Sequence, residues 1–372
     1  MPGELRCPLC ERALEFSPRP EPCPRCRVPG TFFPTGAGLS GKAPGGQGIW
    51  RFREFFPPAT PLSLGEGDTP VVESERLGPA LGVRLHFKLE GANPTGSFKD
   101  RGASVLVAVL REFGVRKVAA DSSGNAGAAL AAYAARAGIQ ATVFVPAHAS
   151  EKKLRQIEAY GGKLVRVDGP RPRATVEAKA ACERDPELVY ASHNESPYFL
   201  AGLRSLAYEL AEQLAGQELE HVLVPVGGGA LFLGLYYGFR ELEAAGLLAK
   251  APRLHLVQAR VCAPLASAWE AGEREPKPVD VGTTVAEGVC IPAPPRGQEI
   301  LAALRTIGGT AVVVEDAEIL SAWSRLAREE GLYVEPTSAV AVAGLFSLVR
   351  RGEVRPGESV VIPLTGSGLK AS

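Results

Sequence analysis

The chain has 372 residues, of which 45% are hydrophobic, and its 41 lysine and arginine residues are balanced by 41 aspartate and glutamate residues. This length allows a sizeable core and two lobes beside a small N-terminal element. Because the net charge is zero, no overall field attracts the chain to polyanions or to anionic membranes. Arg136 and Arg350 interrupt or end the most apolar stretches, so no run reaches about 18 apolar residues and we expect no membrane partner.

Four cysteines near the N-terminus form two C-x2-C pairs separated by twelve residues: Cys7, Cys10, Cys23 and Cys26. Each pair encloses a proline, which favours a turn. This spacing is close to that of zinc ribbons and predicts a structural Zn²⁺ held by four thiolates within residues 1–30. A disulfide framework is the alternative reading. The remaining cysteines are scattered singly, as in a reduced enzyme, so we expect a cytoplasmic location. Arginines and glutamates interleave in this segment, so we expect no nucleic-acid partner.

Residues 31–59 are predicted to be a linker, because glycine and proline are frequent between positions 30 and 48. Four aromatic residues follow this stretch: Trp50, Phe52, Phe55 and Phe56. We expect them to pack into the core of the main body, and contact with a partner subunit is the alternative.

Lys99 lies within residues 93–102, N-P-T-G-S-F-K-D-R-G, where a helix is predicted to begin. Ser97 and Asp100 have the spacing of a capping box, and apolar residues such as Val105 and Val109 supply the buried stripe of that helix. A positive charge is unfavourable in the first turn of a helix, which favours a lysine that spends its time as a neutral imine nitrogen. An ordinary solvated lysine is the alternative.

Strands and helices alternate after this motif. A predicted strand at 115–120 leads into a polar glycine loop at 121–127 and a small-residue helix at 128–137, which together are typical of an anion site. Further strands are predicted at 141–145 and 163–167, with helices near Ser150 and Ala174 and a long amphipathic segment from Ala201. This alternation indicates a mostly parallel sheet with helices on both faces.

A second strand, glycine loop and helix occur in the C-terminal half. The strand at 221–226 runs into Gly227, Gly228 and Gly229 and then into an apolar helix from Ala230. Three glycines allow backbone N–H groups to approach a phosphate, although close helix–strand packing would also need small residues. The absence of G-x-G-x-x-G argues against a dinucleotide fingerprint. A last buried strand at 360–364 stops at Thr365, where open α/β sheets place ligands; a plain turn is the alternative.

With these segments in order, the chain resembles the fold type II family of pyridoxal-phosphate enzymes, most closely its threonine synthase branch, over about residues 60–372. Further motifs that carry the resemblance are E-G-D-T-P at 66–70, F-K-L-E at 87–90, A-E-G at 286–288 and E-P-T-S-A at 335–339. The resemblance implies a two-lobed α/β catalytic domain at 60–372, with mostly parallel sheets flanked by helices and a zinc ribbon before it. It also implies a smaller mobile lobe at about 93–191, a larger lobe formed by the remainder, and a homodimer.

The resemblance implies a role for each matching position. Lys99 would be the catalytic lysine that forms a Schiff base with pyridoxal 5'-phosphate, Asn125 the partner of the cofactor O3′, and Thr365 the partner of the pyridine nitrogen. The cofactor phosphate would be held by Gly227, Gly228, Gly229, Ala230 and Leu231. The small-molecule amino-acid substrate would be held by Ser122, Ser123, Asn194 and Arg101.

The implied reaction is that of threonine synthase, in which O-phospho-L-homoserine and water give L-threonine and phosphate. One position departs from the family pattern, because Phe199 stands where an arginine is expected to bind the leaving phosphate. Arg101, Arg204, His193 or Asn194 could replace that arginine. The alternatives are a related enzyme acting on serine, threonine or phosphoserine, similar to a dehydratase or a cysteate synthase, and a regulatory homologue that binds the cofactor without turnover.

Overall fold

The computed structural model describes residues 3–35 and 47–370, and its strands alternate with helices along most of this length. The strands are β1 (Gly3–Arg6), β2 (Thr31–Pro34), β3 (Val71–Glu73), β4 (Arg84–Leu89), β5 (Lys117–Ala120), β6 (Gln140–Pro146), β7 (Lys163–Val167), β8 (Leu188–Tyr190), β9 (His221–Pro225), β10 (Arg253–Ala259), β11 (Ala311–Val314) and β12 (Ser359–Leu364).

The helices in the same ranges are α1 (Leu77–Leu81), α2 (Lys99–Glu112), α3 (Asn125–Ala137), α4 (Glu151–Ala159), α5 (Pro172–Arg184), α6 (Pro197–Leu203), α7 (Ser205–Gln213), α8 (Ala230–Ala244), α9 (Pro264–Glu270), α10 (Gly297–Ile307), α11 (Asp316–Glu329) and α12 (Pro336–Arg350). Short 3₁₀ helices lie at Gly48–Phe55, Glu90–Ala92, Arg260–Cys262, Glu287–Val289 and Gly368–Lys370. None of the helices in the described part of the chain combines the length and the apolar character needed to cross a membrane.

The chain divides into two compact units, of which the first comprises residues 3–68, apart from 36–46, and residues 93–205. Its main sheet is parallel, with the strand order β7-β6-β5-β8. Side chains on β6 alternate between the two faces of the sheet. Val143 and Val145 pack with residues of α3 and α4, whereas Phe144 packs with residues of α5. Helices therefore cover both faces, and the predicted smaller lobe, at about 93–191, lies within this unit.

The N-terminal segment of the first unit is a small antiparallel ribbon. β1 pairs with β2 from Gly3 opposite Pro34 to Arg6 opposite Thr31. The linker predicted at 31–59 must therefore be corrected at both ends, because residues 31–34 form a strand and residues 48–55 form a 3₁₀ helix. Its central part, residues 36–46, lies outside the described residues. The prediction that the aromatic residues after it pack into the core is confirmed, since Trp50, Phe52, Phe55 and Phe56 are all buried.

The second unit comprises residues 69–92 and 206–370 of the described chain. Its six-stranded sheet has the order β11-β10-β9-β12-β4-β3, and only the edge strand β3 runs antiparallel to its neighbour. Every residue of β12, S-V-V-I-P-L, is buried, as expected for a central parallel strand with both faces covered. The core against this sheet is built largely from α12, whose residues 339–343 are fully or almost fully buried.

The α/β class and the mostly parallel sheets flanked by helices are confirmed. The helix that we predicted at 128–137 begins earlier, at Asn125, and the amphipathic segment from Ala201 consists of two helices, α6 and α7. Because all parallel strands of one sheet point the same way, the loops after β5 and β8 meet at one edge of the first sheet. Likewise, the loops after β9 and β12 meet at one edge of the second sheet.

Candidate active site

Lys99 is the first residue of α2 and is half-buried, with its Nζ 4.3 Å from the centre of the Phe98 ring. The predicted capping box is wrong, because the helix has no side-chain cap. The Asp100 carboxylate instead turns back to accept hydrogen bonds from the backbone N–H of Thr95, at 2.7 Å, and from its hydroxyl, at 2.5 Å. Asp100 therefore stabilises the loop that precedes Lys99 and does not cap the helix.

The polar loop after β5 leads into the N-terminus of α3. Ser122 is buried, Ser123 and Asn125 are half-buried, and the backbone N–H of Gly124 points to the Ser122 hydroxyl at 3.4 Å. A Cβ at Gly127 would lie 2.0 Å from the Ser122 carbonyl oxygen, so only glycine permits this close approach of loop and helix. The first-turn N–H groups of α3 have no partner within the helix, which suits them to an anion.

His193 and Asp121 follow the neighbouring strands β8 and β5, and the sequence alone gave no reason to pair them. The Asp121 carboxylate accepts a hydrogen bond from the Thr175 hydroxyl and interacts with the Tyr190 hydroxyl. Burial and the positive charge of Lys99 lower the pKa of His193 to about 3. The imidazole is therefore neutral at physiological pH, and it shares its surroundings with both Lys99 and Asp121.

Phe199, at the position of the expected arginine, lies on α6 and is buried against α2. A Cβ at Gly102 would lie 2.6 Å from the Phe199 ring, and the ring packs edge-on against His193 at 6.1 Å. Arg101 is fully buried and donates to the Ser205 hydroxyl at 3.1 Å, and buried Arg204 donates to the Phe32 carbonyl. Both arginines thus make contacts that stabilise the unit itself.

Asn194 is half-buried in the turn between β8 and α6, where its backbone N–H points to the Ser192 hydroxyl at 3.3 Å. Ser196 caps α6 by accepting from the backbone N–H groups of Tyr198 and Phe199. The turn therefore fixes Asn194 and His193 at the same edge of the sheet as the loop after β5.

In the second unit, Gly227, Gly228 and Gly229 connect β9 to α8. Gly229 has a φ of 83°, which favours glycine. A Cβ at Gly227 would lie 2.9 Å from the Val289 Cα and 3.1 Å from the Ile291 Cγ1, so the Val289 backbone and the Ile291 side chain close the back of the loop. Ala230 and Leu231 begin α8, and their free N–H groups add to those of the glycines.

Thr365 follows β12 and is buried, with its Oγ1 3.0 Å from the Ser338 Oγ at the start of α12. The Ser338 hydroxyl also accepts from the Gly366 N–H at 3.1 Å, a partner that sequence reasoning missed. β12 pairs with β4 along six residues, but with β9 only at Val360 and Val361. The pairing of β12 with β9 therefore ends before the carboxyl ends of both strands, which Thr365 and the triglycine loop follow.

The four N-terminal cysteines converge as predicted, with their Sγ atoms within 4.8 Å of one another. The two pairs have the same backbone geometry. Glu11 and Arg27, each after the second cysteine of a pair, both have a positive φ, of 58° and 57°. Their N–H groups donate to the carbonyls of Cys7 and Cys23. A hydrogen bond from the Cys26 backbone N–H lowers the pKa of Cys23 to about 7, whereas burial raises the pKa of Cys7 and the contact with Cys10 raises that of Cys26. A metal bound here would therefore displace protons from other thiols of the cluster.

This cysteine ribbon contacts the segment that carries Phe199. The Tyr198 hydroxyl donates to the Ser17 carbonyl at 2.6 Å, and the Phe16 ring packs edge-on against Tyr198 at 5.3 Å. Arg19 donates to the Leu188 carbonyl at 3.0 Å, at the start of β8. The ribbon is therefore attached to α6 and β8 through side chains outside the four cysteines.

A phosphate-bearing cofactor fits the second unit, because the glycine loop lacks Cβ atoms, is closed behind by Val289, and follows the strand next to β12, which leads to a buried hydroxyl pair. Together with the α/β fold, this cradle is what an enzyme with a phosphate-bearing cofactor requires. Comparison with known proteins agrees. A model of the pyridoxal-phosphate dependent enzyme family matches residues 62–366, and the chain belongs to that family.

Several relatives within the family are threonine synthases. The chain is 37% identical to a threonine synthase of Methanosarcina acetivorans over 325 residues, which cover 87% of this chain and 80% of the relative. It is 35% identical to a threonine synthase of Halalkalibacterium halodurans over 87% of this chain and 89% of the relative. Maize serine racemase has a similar structure, with a TM-score of 0.71 and 24% identity over 81% of this chain and 88% of that protein, a likeness of fold alone.

Proposed function

We propose that this chain is a threonine synthase that converts O-phospho-L-homoserine and water to L-threonine and phosphate. The observation that carries the proposal is the 37% identity to a threonine synthase across 87% of the chain. The lysine, Ser-Ser-Gly-Asn and triglycine motifs all fall at strand ends or helix starts, which are the places where such chemistry is positioned.

The second unit supplies the cofactor phosphate site in this proposal. The N–H groups of Gly227, Gly228 and Gly229 and of the first turn of α8, at Ala230 and Leu231, hold the phosphate. The Thr365 hydroxyl, which lies 3.0 Å from the Ser338 hydroxyl, would be the partner of the ring nitrogen. A hydroxyl does not protonate that nitrogen as a carboxylate would, which suits elimination and replacement better than transamination.

The first unit supplies the residues that act on the substrate. Lys99 would hold the cofactor covalently and would move the proton at the substrate Cα as a general base. Asn125 orients the cofactor, and Ser122 and Ser123 hold the substrate carboxylate together with the first-turn N–H groups of α3. Pyridoxal phosphate, when bound, supplies an electron sink that stabilises negative charge on the substrate.

Asn194 and Arg101 complete the proposed substrate site, and His193 is a further substrate contact. Because its pKa is lowered to about 3, His193 exchanges hydrogen bonds with the substrate without contributing a positive charge. Arg101 is fully buried on α2, two positions after Lys99, and we propose that it contributes to the substrate site by its charge and not by direct contact.

A second candidate function is favoured by Phe199. An apolar ring replaces the expected arginine, His193 is neutral, and Arg101 and Arg204 donate to groups of the first unit. A phosphate dianion in this segment would lack the bidentate cation that usually binds it. The alternative is a related enzyme that acts on serine, threonine or phosphoserine.

Steady-state assays with four substrates distinguish the two candidates. We expect phosphate release and threonine formation with O-phospho-L-homoserine, and slower turnover of serine, threonine and O-phosphoserine. No reaction with O-phospho-L-homoserine together with turnover of another substrate would overturn the threonine synthase proposal in favour of the second candidate. No reaction with any of the four, in a chain that binds the cofactor, would favour a regulatory homologue.

The role of Lys99 is tested without substrate. Borohydride reduction of the cofactor-loaded chain, followed by peptide mapping, should place the cofactor mass on the peptide that contains Lys99. Lys99→Ala should abolish this label and the yellow colour, whereas Lys117→Ala, at a partly exposed lysine on β5, should keep both. A label on another lysine of the wild-type chain would refute the assignment.

We also propose that Cys7, Cys10, Cys23 and Cys26 bind one structural Zn²⁺ in a closed tetrahedral site. The converging Sγ atoms and the matching turns of the two pairs support it. Metal analysis should find one zinc per chain, and Cys23→Ser should lose it. A well-folded chain without metal would contradict the proposal.

Two further properties concern the assembly and the location of the chain. We propose that the chain acts as a homodimer in the cytoplasm. Light scattering of the purified chain tests the dimer, and cell fractionation tests the location. A monomeric mass or a membrane-bound fraction would each overturn one of these two statements.

A further inference from the structure

Two cysteines outside the ribbon lie together in the second unit. Cys262 ends the 3₁₀ helix after β10 and is 1% exposed, whereas Cys290 follows the 3₁₀ helix Glu287–Val289 and is half-buried. Their thiols are hydrogen-bonded to each other, and the Cys262 sulfur also accepts from the backbone N–H of Ile291. Neither cysteine forms a disulfide bond. The pair is therefore a buried thiol in contact with a more accessible one.

The hydrogen bond makes the two thiols unequal. The contact with Cys290, together with burial, raises the pKa of Cys262 above its ordinary value. Cys262 therefore keeps its proton at neutral pH. Since access to the oxidant helps to decide which cysteine reacts first, the half-buried Cys290 is the nucleophile of the pair and the buried Cys262 the resolving thiol.

The position of Cys290 connects this pair to the triglycine loop. Its two neighbours in sequence form the back wall of Gly227. A Cβ at Gly227 would lie 2.9 Å from the Val289 Cα and 3.1 Å from the Ile291 Cγ1. There is no free space between the wall and the loop, and Val289 is itself buried. In a close-packed interior, a displacement of residues 289–291 must therefore move the loop.

From these contacts we infer that Cys262 and Cys290 form a redox-sensitive dithiol whose oxidation to a disulfide weakens cofactor binding at the triglycine loop. The inference rests on the proposed function, in which that loop holds the cofactor phosphate. A disulfide holds its sulfurs about 2 Å apart, closer than two hydrogen-bonded thiols. Closing the bond draws Cys290 toward Cys262, and Val289 and Ile291 move with it.

The oxidant class is a peroxide, and the chemistry balances with hydrogen peroxide. The Cys290 thiolate attacks one peroxide oxygen, the O–O bond breaks, and Cys290 becomes a sulfenic acid while the released hydroxide takes up a proton and leaves as water. The Cys262 sulfur then attacks the Cys290 sulfur, the S–O bond breaks, and the leaving hydroxide takes the Cys262 proton as a second water. The two thiols lose two electrons, which the peroxide gains.

The test uses the full, zinc-loaded chain. Samples treated with hydrogen peroxide are alkylated and mapped without reduction, and pyridoxal phosphate is titrated into the same samples. We expect a peptide pair linked through Cys262 and Cys290 and a Kd for pyridoxal phosphate that rises about tenfold, which corresponds to about 1.4 kcal/mol. Dithiothreitol should reverse both changes.

The controls separate this pair from the other cysteines. Cys290→Ser and Cys262→Ser should each abolish the peroxide effect on the Kd, and the half-buried position 290 keeps the test usable if the fully buried position 262 does not tolerate serine. Cys182→Ser, at a buried cysteine of the first unit, should leave the effect unchanged. Zinc content, measured before and after treatment, reports damage to the ribbon.

The outcomes are distinct. An equal loss of affinity in Cys290→Ser, or a linked peptide pair without any change in Kd, would overturn the inference. Normal cofactor binding without a Cys262–Cys290 linkage would overturn it as well, while the proposed function would stand. A reduced chain that does not bind pyridoxal phosphate would refute the proposed function, and the redox control of the loop with it.

Discussion

Replacement of Gly227 by alanine should weaken cofactor binding, because no atom can be added between the triglycine loop and its back wall. The new Cβ would lie 2.9 Å from the Val289 Cα, about 0.5 Å less than the 3.4 Å at which ordinary van der Waals contact begins. The obstructing atom belongs to the backbone, so a rotamer change cannot remove it. Overpacking of this kind costs about 1–3 kcal/mol.

We expect the triglycine loop to move away from the added methyl group, because Val289 is buried and Cys290 is held by its contact with Cys262. A displaced loop no longer aims its N–H groups at the phosphate. We therefore expect Gly227→Ala to raise the Kd for pyridoxal phosphate about tenfold to a hundredfold, since each tenfold change corresponds to about 1.4 kcal/mol. Titration of the cofactor-free chain, followed by absorbance, measures this change.

Gly246→Ala is a matched control in the same unit. Gly246 has a φ of 69°, and a Cβ there would meet no atom within 4 Å. Its replacement should cost about 1–2 kcal/mol of unfolding free energy from backbone strain alone, with an unchanged Kd. If Gly227→Ala bound the cofactor as tightly as the wild type, the argument that this loop is the phosphate cradle would fail.

Three further predictions concern stability. Lys88 and Glu209 are fully buried, with their charged atoms 2.8 Å apart. Lys88→Met leaves a buried unpaired charge and should lower the unfolding free energy, measured by urea denaturation, by about 3–5 kcal/mol, most of which the double variant with Glu209→Met should recover. A loss below about 1 kcal/mol in the single variant would contradict this. Burial acts to raise the pKa of Glu330, but hydrogen bonds from the Ser74 hydroxyl and from three backbone N–H groups outweigh it and lower the pKa. The stabilisation by the ionised Glu330 is thus fully present above the ordinary glutamate pKa and is lost as the pH falls through the lowered value. Glu330→Gln should therefore destabilise the chain at neutral pH and reduce the slope of unfolding free energy against pH on the acid side. An unchanged slope there would refute the assignment. Tyr198→Phe removes the hydrogen bond to the Ser17 carbonyl and should lower the unfolding free energy by about 1 kcal/mol. It should also speed the release of zinc to a chelator. An unchanged release rate would show that the ribbon binds its metal independently of α6.

The parts of the fold that depend on local pattern could be read from the sequence. The strand predicted at 163–167 coincides with β7, and the triglycine loop joins a strand to a helix as expected. Periodicity and turn residues act within a few positions, so a single sequence contains them. The cysteine spacing was equally informative, because each short turn already holds two thiols close together, and one contact between the two turns brings all four thiols together.

The parts of the fold that depend on partners distant in sequence could not be predicted from the sequence alone. Asp100 has the right spacing for a cap, yet Thr95 engages its carboxylate in the folded chain. Residues 31–34 are rich in phenylalanine and adjoin a glycine-rich stretch, and they become a strand only because β1 is present to pair with them. The neutral state of His193 follows from burial beside Lys99, and the pairing of Cys262 with Cys290 follows from tertiary contact.

The central place of β12 in the six-stranded sheet has a consequence for how the protein is made. This strand lies between β9 and β4, although it follows every other strand of the sheet in sequence. A ribosome therefore releases its two neighbours long before the segment that joins them. Until then the nascent chain presents two unpaired apolar strand edges, which are the surfaces that aggregate most readily and that chaperones recognise.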